Sequence, residues 1–213
     1  MKSHSFDVVA VGAGFAGLFL IHRMRVLGFS VRVLEAADDV GGTWYWNRYP
    51  GARCDVESLQ YSYSFSEELQ QEWQWTERYP KQEEILRYIN HVADRFDLRR
   101  DIQVHTRVLS VVFDEAAQRW TVTTGSGRSL SARFFVMASG CLSNAKVPDV
   151  PGLSDFQGRW FHTACSTRLP NDMSRRKSSR SATCCAYRRI SGCGAYFSLH
   201  THVSSSSGSN EYE

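Results

Sequence analysis

The stretch Gly12-Ala13-Gly14-Phe15-Ala16-Gly17 has the residue types and spacing to hold an anion. Its G-x-G-x-x-G pattern meets three physical needs. The first glycine makes a tight turn, the second lets a pyrophosphate approach the backbone, and the third lets a helix pack closely on a strand. A helix opening there aims free N–H groups and the positive end of its dipole at the anion. The context fits. A β-branched apolar run, residues 6–11, precedes the glycines. Leu18, Phe19, Ile21, His22, Met24, Arg25 and Val26 then read as a helix, stopped by Gly28. Residues 30–34 form a second strand-like run that ends in Glu35, 21 residues after Gly14. A carboxylate at that strand tip can accept hydrogen bonds from both hydroxyls of a ribose. The plainer alternatives are a glycine-rich turn with no ligand and a solvated acid at a strand end. The fingerprint alone does not separate FAD from NAD.

Gly41-Gly42-Thr43-Trp44 favours FAD. A second glycine pair after the acid suggests a loop running along a longer dinucleotide toward a flavin. Residues 36–80 show little regular pattern and carry ten aromatics, Trp44, Tyr45, Trp46, Tyr49, Tyr61, Tyr63, Phe65, Trp73, Trp75 and Tyr79. Irregular loops of this length in a compact domain are usually functional, although aromatic clusters are usually packing.

These residues need a scaffold, and the remaining periodicities supply one. The strand–helix–strand opening is a βαβ unit of a doubly wound sheet. Residues 83–96 form an amphipathic helix, with Ile85, Leu86, Ile89, Ala93 and Phe96 on one face. Three strand-like runs, 102–113, 120–124 and 130–138, are joined by turns at 114–118 and 125–128 and read as a β-meander. The fold class expected is α/β, a Rossmann-type three-layer domain with an inserted meander and a disordered or irregular C-terminal tail. The 213 residues are 42% hydrophobic and 22% charged, which excludes a wholly disordered chain and a disulfide miniprotein. The longest apolar runs, such as 8–13, fall far short of the roughly 18–20 residues needed to span a bilayer. Asp7 within the first apolar run argues against a secretory signal, so a cytoplasmic protein without membrane partners is expected.

Residues 44–58, read Trp-Tyr-Trp-Asn-Arg-Tyr-Pro-Gly-Ala-Arg-Cys-Asp-Val-Glu-Ser, resemble the Baeyer–Villiger monooxygenases of the flavin-containing monooxygenase superfamily, near their phenylacetone and cyclohexanone branches. The likeness extends over roughly residues 5–164, through Tyr79, Phe113-Asp114-Glu115 and Met137-Ala138-Ser139-Gly140. The resemblance implies an oxidoreductase that uses FAD, NADPH and dioxygen to insert oxygen into a small-molecule ketone, giving an ester or lactone. It implies that Gly12, Ala13, Gly14, Phe15, Ala16 and Gly17 line the FAD pyrophosphate and Glu35 holds the adenosine ribose. Gly42, Thr43, Trp44 and Trp46 would run beside the flavin half, and Tyr61 would touch FAD. Asp55 would be the catalytic acid near the isoalloxazine and nicotinamide, with Arg53 beside it. Val108 would present its backbone to adenine, and Ala138 and Gly140 would let the cofactor pass close to the chain. Read without the resemblance, Asp55 is equally a loop acid paired with Arg53, Trp44 and Trp46 are ordinary core, and Val108 is a strand residue.

The resemblance stops within the family's string F-x-G-x-x-x-H-x-x-x-W-P. Phe156, Gly158 and His162 fit it, but Ser166 and Thr167 stand where Trp and Pro are needed. No second G-x-G-x-x-G follows. Gly192-Cys193-Gly194 has Phe197 where the third glycine is required. The composition changes at the same place. Residues 1–163 carry 18 Lys/Arg against 19 Asp/Glu, whereas residues 164–213 carry 7 against 3, with 12 serines, four of the six cysteines and no tryptophan. Cys165, Cys184, Cys185, Cys193, His200 and His202 lack zinc-site spacing, so no metal is expected. Arg175-Arg176-Lys177 lacks the aromatic interleaving of a nucleic-acid surface, so no nucleic-acid partner is expected. The expected organisation is an FAD-binding domain over 1–150, the start of a linker to an NADPH domain missing here over 151–164, and a Ser/Arg/Cys-rich tail over 165–213. The abrupt break suggests that the tail is out of frame. Two functional readings follow: a monooxygenase by lineage, and a catalytically inactive FAD-binding fragment.

Overall fold

The computed structural model describes residues 4–144, 149, 151–152, 155, 161–162 and 183–184. Residues 1–46 with 51–143 form one compact unit, and residues 47–50 with 144–213 form a second. In the first unit β1 (His4–Val11), α1 (Phe15–Val26) and β2 (Val31–Leu34) make the opening βαβ. The aromatic stretch contains α2 (Thr43–Trp46), a 3-10 turn (Ser58–Tyr61) and α3 (Glu67–Glu72). Then come α4 (Gln82–Arg95), a second 3-10 turn (Leu98–Asp101), β3 (Ile102–Gln103), β4 (Val108–Asp114), β5 (Arg119–Thr124) and β6 (Ser129–Met137).

Six strands form one sheet in the order β3-β2-β1-β6-β5-β4. The first four are mutually parallel; β4 and β5 extend the sheet antiparallel from β6. Strand β1 lies at the centre, in register with Val31–Leu34 on one side and Leu130–Met137 on the other. Its apolar run is continuous because it is buried on both faces. Val8 and Ala10 join one core with Leu18 and Ile21 of α1 and with Ile85, Tyr88, Ile89 and Val92 of α4. Val9 points the other way and joins Leu34, Val122, Leu130 and Ala132, flanked by Val108, Val111 and Trp120. The helices, the parallel strands and the meander thus supply three layers, as the patterning implies.

Helix α1 ends as a Schellman motif. The Phe29 N–H donates to the Met24 carbonyl and the Gly28 N–H to that of Arg25, with Gly28 at φ +78°. Burial of Ile85, Tyr88, Ile89, Val92 and Ala93 sets the face of α4, whose span matches the expected helix to within one residue.

One expected element divides. The run 102–113 reads as a single strand, yet it forms β3 and β4, separated by His105 at φ +51°. The break is held by backbone bonds to the far side of the sheet: the His105 N–H donates to the Ala37 carbonyl and the Thr106 N–H to that of Glu35. β3 therefore belongs to the parallel half, and only β4, β5 and β6 make the meander.

In the second unit Phe161–His162 (β7) and Thr183–Cys184 (β8) form a short parallel ladder. Apart from that pair, the expected irregular tail over 165–213 lies outside the described residues. No helix among the described residues is long and apolar enough to cross a membrane.

Candidate functional site

Strand β1 delivers Gly12 to the C-terminal edge of the parallel strands, the position where open α/β sheets bind ligands. Gly12 is caught between two neighbouring strands. Its N–H donates to the Leu34 carbonyl at 2.9 Å, while the Ala138 N–H donates to the Val11 carbonyl at 2.9 Å. A Cβ on Gly12 would lie 2.5 Å from the Ala138 oxygen. Ala138 thus lies against the glycine loop, because β6 lies directly beside β1. Gly140, two residues on, is exposed and turns the chain at φ +73°. The third fingerprint glycine, Gly17, leaves no room either, since a Cβ there would sit 2.0 Å from the Gly12 carbonyl oxygen.

Helix α1 starts directly after Gly14. Gly14 is the N-cap, no side chain caps it, and the first turn holds no acid. The first bond into the helix runs from the Leu18 N–H to the Gly14 carbonyl, so the N–H groups of Phe15, Ala16 and Gly17 precede it. Unsatisfied donors at the positive end of a dipole form an anion site.

The peptide of Ala13 is gripped from both sides. Its N–H donates to Glu35 Oε2 at 2.7 Å, and its carbonyl accepts from the Gly41 N–H at 3.0 Å. The other Glu35 oxygen accepts the Ala37 N–H at 2.8 Å. Glu35 is 5% exposed. A carboxylate has about four acceptor positions, and these two bonds occupy one on each oxygen. The solvated strand end is therefore not what Glu35 is. It ties the glycine loop to the tip of β2.

The second glycine pair rests directly on the first. A Cβ on Gly42 would lie 2.9 Å from the Gly14 Cα. Gly14 and Gly42, 28 residues apart by number, thus meet backbone to backbone.

From Gly42 the chain enters α2. Trp44 is buried and meets Tyr61 edge-on with ring centroids 5.5 Å apart, while its carbonyl accepts from the Gln82 side chain. Trp46 is 43% exposed, so the two tryptophans differ: the first belongs to the core, the second to the surface. Thr43 is half-buried at the start of α2. Tyr61 packs at 5.4 Å on Phe15, and burial, with the nearby Cys54 and Asp55, pushes its phenol well above the ordinary value. Val108 follows the Thr106 that bonds Glu35, and a β-bulge between Val108 and Ser110 interrupts the ladder to β5 there.

The structure does not bring Arg53 and Asp55 together as a pair. Arg53 Nη1 meets Glu77 Oε2 at 3.2 Å, and Glu77 also meets Lys81. Asp55 is exposed and makes no hydrogen bond or ion pair among the described residues. Arg53 forms an isolated antiparallel bridge with Lys81, which turns it toward the other limb of the aromatic loop. Among the described residues no group of three or more His, Cys, Asp or Glu is placed to hold a metal.

Several supporting residues carry no sequence signal. The Tyr63 hydroxyl donates to the Phe15 carbonyl at 2.6 Å, and its N–H donates to the Tyr88 hydroxyl at 2.7 Å. Both phenols are raised by burial. Tyr63 is one aromatic among ten in its loop, and only the fold shows that it braces the first turn of α1.

Residues 9–167 match the family model described as pyridine nucleotide-disulphide oxidoreductase. The chain is 48% identical over 164 residues to an acetone monooxygenase (methyl acetate-forming) of Gordonia sp. (strain TY-5), covering 77% of this chain and 31% of that protein. Among solved structures it is similar to an oxidized steroid monooxygenase bound to NADP, with TM-score 0.69 and 62% identity over 79% of this chain and 32% of the other. It is similar also to cyclohexanone monooxygenase from Rhodococcus sp. Phi1 bound to NADP+, with TM-score 0.71 and 42% identity over 80% and 32% of the respective chains. The chain spans about a third of the length of the curated relatives it matches.

Proposed function

Because the chain belongs to the pyridine nucleotide-disulphide oxidoreductase family, we propose that it is the FAD-binding part of an NADPH-dependent Baeyer–Villiger-type monooxygenase. The observation that carries this reading is the buried Glu35 carboxylate, held by Ala13 and Ala37 beside the uncapped start of α1. The two backbone N–H groups orient the carboxylate and leave acceptor positions on both oxygens for a ribose. Phe15, Ala16 and Gly17, which follow the N-cap Gly14, would donate their N–H groups to the pyrophosphate. Val108 serves the adenine end, and Ala138 and Gly140 flank the passage. Thr43, Trp44, Trp46, Tyr61 and Arg53 serve the flavin half. Asp55 is the acid of the reacting end, its carboxylate accepting from a bound group rather than from protein.

When bound, FAD supplies the redox chemistry, accepting reducing equivalents from NADPH and delivering them to dioxygen. The protein's part is binding and orientation. The substrate class is a ketone, because the acetone monooxygenase it resembles is named for forming methyl acetate, the product of oxygen insertion next to a carbonyl. FAD titration of the purified chain tests the binding reading. Tight uptake of the flavin supports it, and protein that stays colourless after reconstitution refutes it.

A second reading is favoured by the single G-x-G-x-x-G of the sequence. These 213 residues would then hold FAD without oxygenating a ketone. NADPH consumption with acetone or phenylacetone separates the two. Ketone-dependent turnover coupled to ester formation supports the first, and bound FAD without turnover supports the second.

A further inference from the structure

We propose that Arg99 is a positioning residue for the dinucleotide site, one that sets the strap of residues 39–42 against the glycine loop without touching the ligand. The proposal rests on the FAD reading above. Arg99 lies in the 3-10 turn after α4, and its guanidinium reaches three ways. Nη1 donates to Asp39 Oδ1 at 2.5 Å, Nη2 to Asn90 Oδ1 at 2.5 Å, and Nε to Asp94 Oδ1 at 2.6 Å. Asn90 and Asp94 belong to α4, a helix buried along one face in the main core. Asp39 belongs to the strap. The same Asp39 oxygen accepts the Val40 N–H at 2.7 Å. The next residue, Gly41, donates to the Ala13 carbonyl, and Gly42 rests on Gly14. A continuous series of contacts therefore joins a rigid helix to the peptide that Glu35 also holds.

Charge strength alone does not explain the arrangement. Arg99 and Asp39 are 40% and 42% exposed in their side chains, and exposed ion pairs contribute little to folding. A planar fork aimed in three directions does fix geometry, and an ammonium cannot reproduce it. Within the strap Val40 is buried in the main core and the Gly41 N–H bonds the Ala13 carbonyl, while Gly41, at φ +136°, and Gly42 add no side chains. The consequence falls on ligand affinity rather than on the stability of the ligand-free fold.

The matched control is Arg25. It pairs with Asp101 in the same 3-10 turn and donates to the Phe96 and Asp97 carbonyls, at the C-terminal end of α1. The experiment titrates the full chain with FAD and follows thermal unfolding without FAD, for the parent, Arg99→Lys, Asp39→Asn, the double variant and Arg25→Gln. Arg99→Lys is expected to weaken FAD binding about tenfold, the scale of couplings carried through packed neighbours. Asp39→Asn is expected to do the same, and the double variant to lose no more than either alone, as for two groups acting through one contact. Ligand-free melting should stay near the parent for these variants and fall for Arg25→Gln, whose FAD affinity should hold. Parent-like FAD affinity in Arg99→Lys overturns the proposal. So does a loss that tracks lowered ligand-free stability, or failure of that variant to fold, because either makes Arg99 merely structural. A parent that takes up no FAD overturns instead the reading on which it rests.

Discussion

Glu35 is asked to do two things with one carboxylate: hold the Ala13 and Ala37 amides and accept from a ribose. Substitution separates them. Glu35→Gln keeps the shape but turns one acceptor into a donor that faces a backbone N–H. Replacing an ionised acceptor in a buried position costs about 1.5–3 kcal/mol. FAD titration is therefore expected to show at least a tenfold loss, with a smaller drop in the melting temperature of the ligand-free protein. A second residue-scale prediction concerns His22. It stacks on Phe65 at 4.1 Å and meets Phe96 edge-on, and its Nδ1 is buried without a partner among the described residues. Burial, helped by Arg23 and Arg25, lowers its pKa below the ordinary 6.5. Between the lowered folded value and 6.5, the unfolded chain binds the proton that the folded chain refuses. The contribution is present above about pH 6.5 and is lost as pH falls through that window. In His22→Phe the melting temperature should fall less between pH 7 and 5 than in the parent; identical pH profiles would show that His22 does not titrate against folding.

At the scale of elements, α1 carries most of the functional weight. Its N-terminus has no side-chain cap and its C-terminus is closed by Gly28. Gly28 has open space around it, so Gly28→Ala meets no clash and pays only for a left-handed conformation, about 1 kcal/mol. Chemical denaturation should register that loss with FAD affinity unchanged, because the far end of the helix does not move. The βαβ opening was legible in the sequence because three independent signals agree there: continuous apolarity for a strand buried on both faces, helical spacing, and a glycine stop. The split between β3 and β4 was not, because residues 102–113 alternate like one strand while His105 adopts a left-handed turn to reach Ala37. The same limit explains Arg53. Its nearness to Asp55 in sequence suggested a pair, but its partner Glu77 comes from the other limb of the loop. The glycine cradle was legible as two motifs. That Gly42 lies on Gly14, that the Tyr63 hydroxyl reaches the Phe15 carbonyl and that Arg99 reaches Asp39 are facts of tertiary contact that no local pattern encodes.

At the scale of the whole molecule, the arrangement of the site orders its ligands. The groups suited to the adenosine diphosphate half, Glu35, the first turn of α1 and Val108, sit on β2, α1 and β4 and are knitted together by backbone bonds through Thr106 and Gly41. They belong to one compact unit. The groups assigned to the flavin half sit on a one-turn helix, a 3-10 turn and loop. Rigid elements hold a site more closely than loops do, so under the proposed reading most of the preorganised affinity is expected at the adenosine end. A ligand that binds only the folded chain stabilises it by about 2.7 kcal/mol at a hundredfold excess over its Kd. For a chain of this size that is a rise in melting temperature of roughly 5–10 °C. FAD should produce it. ADP, which lacks the flavin, should produce a clear shift at millimolar concentration and displace FAD competitively. Riboflavin, which lacks the diphosphate and the adenosine, should produce almost none. The reverse order, with riboflavin stabilising and ADP inert, would mean that the glycine cradle and Glu35 do not form the anchoring half, and that the aromatic loop does.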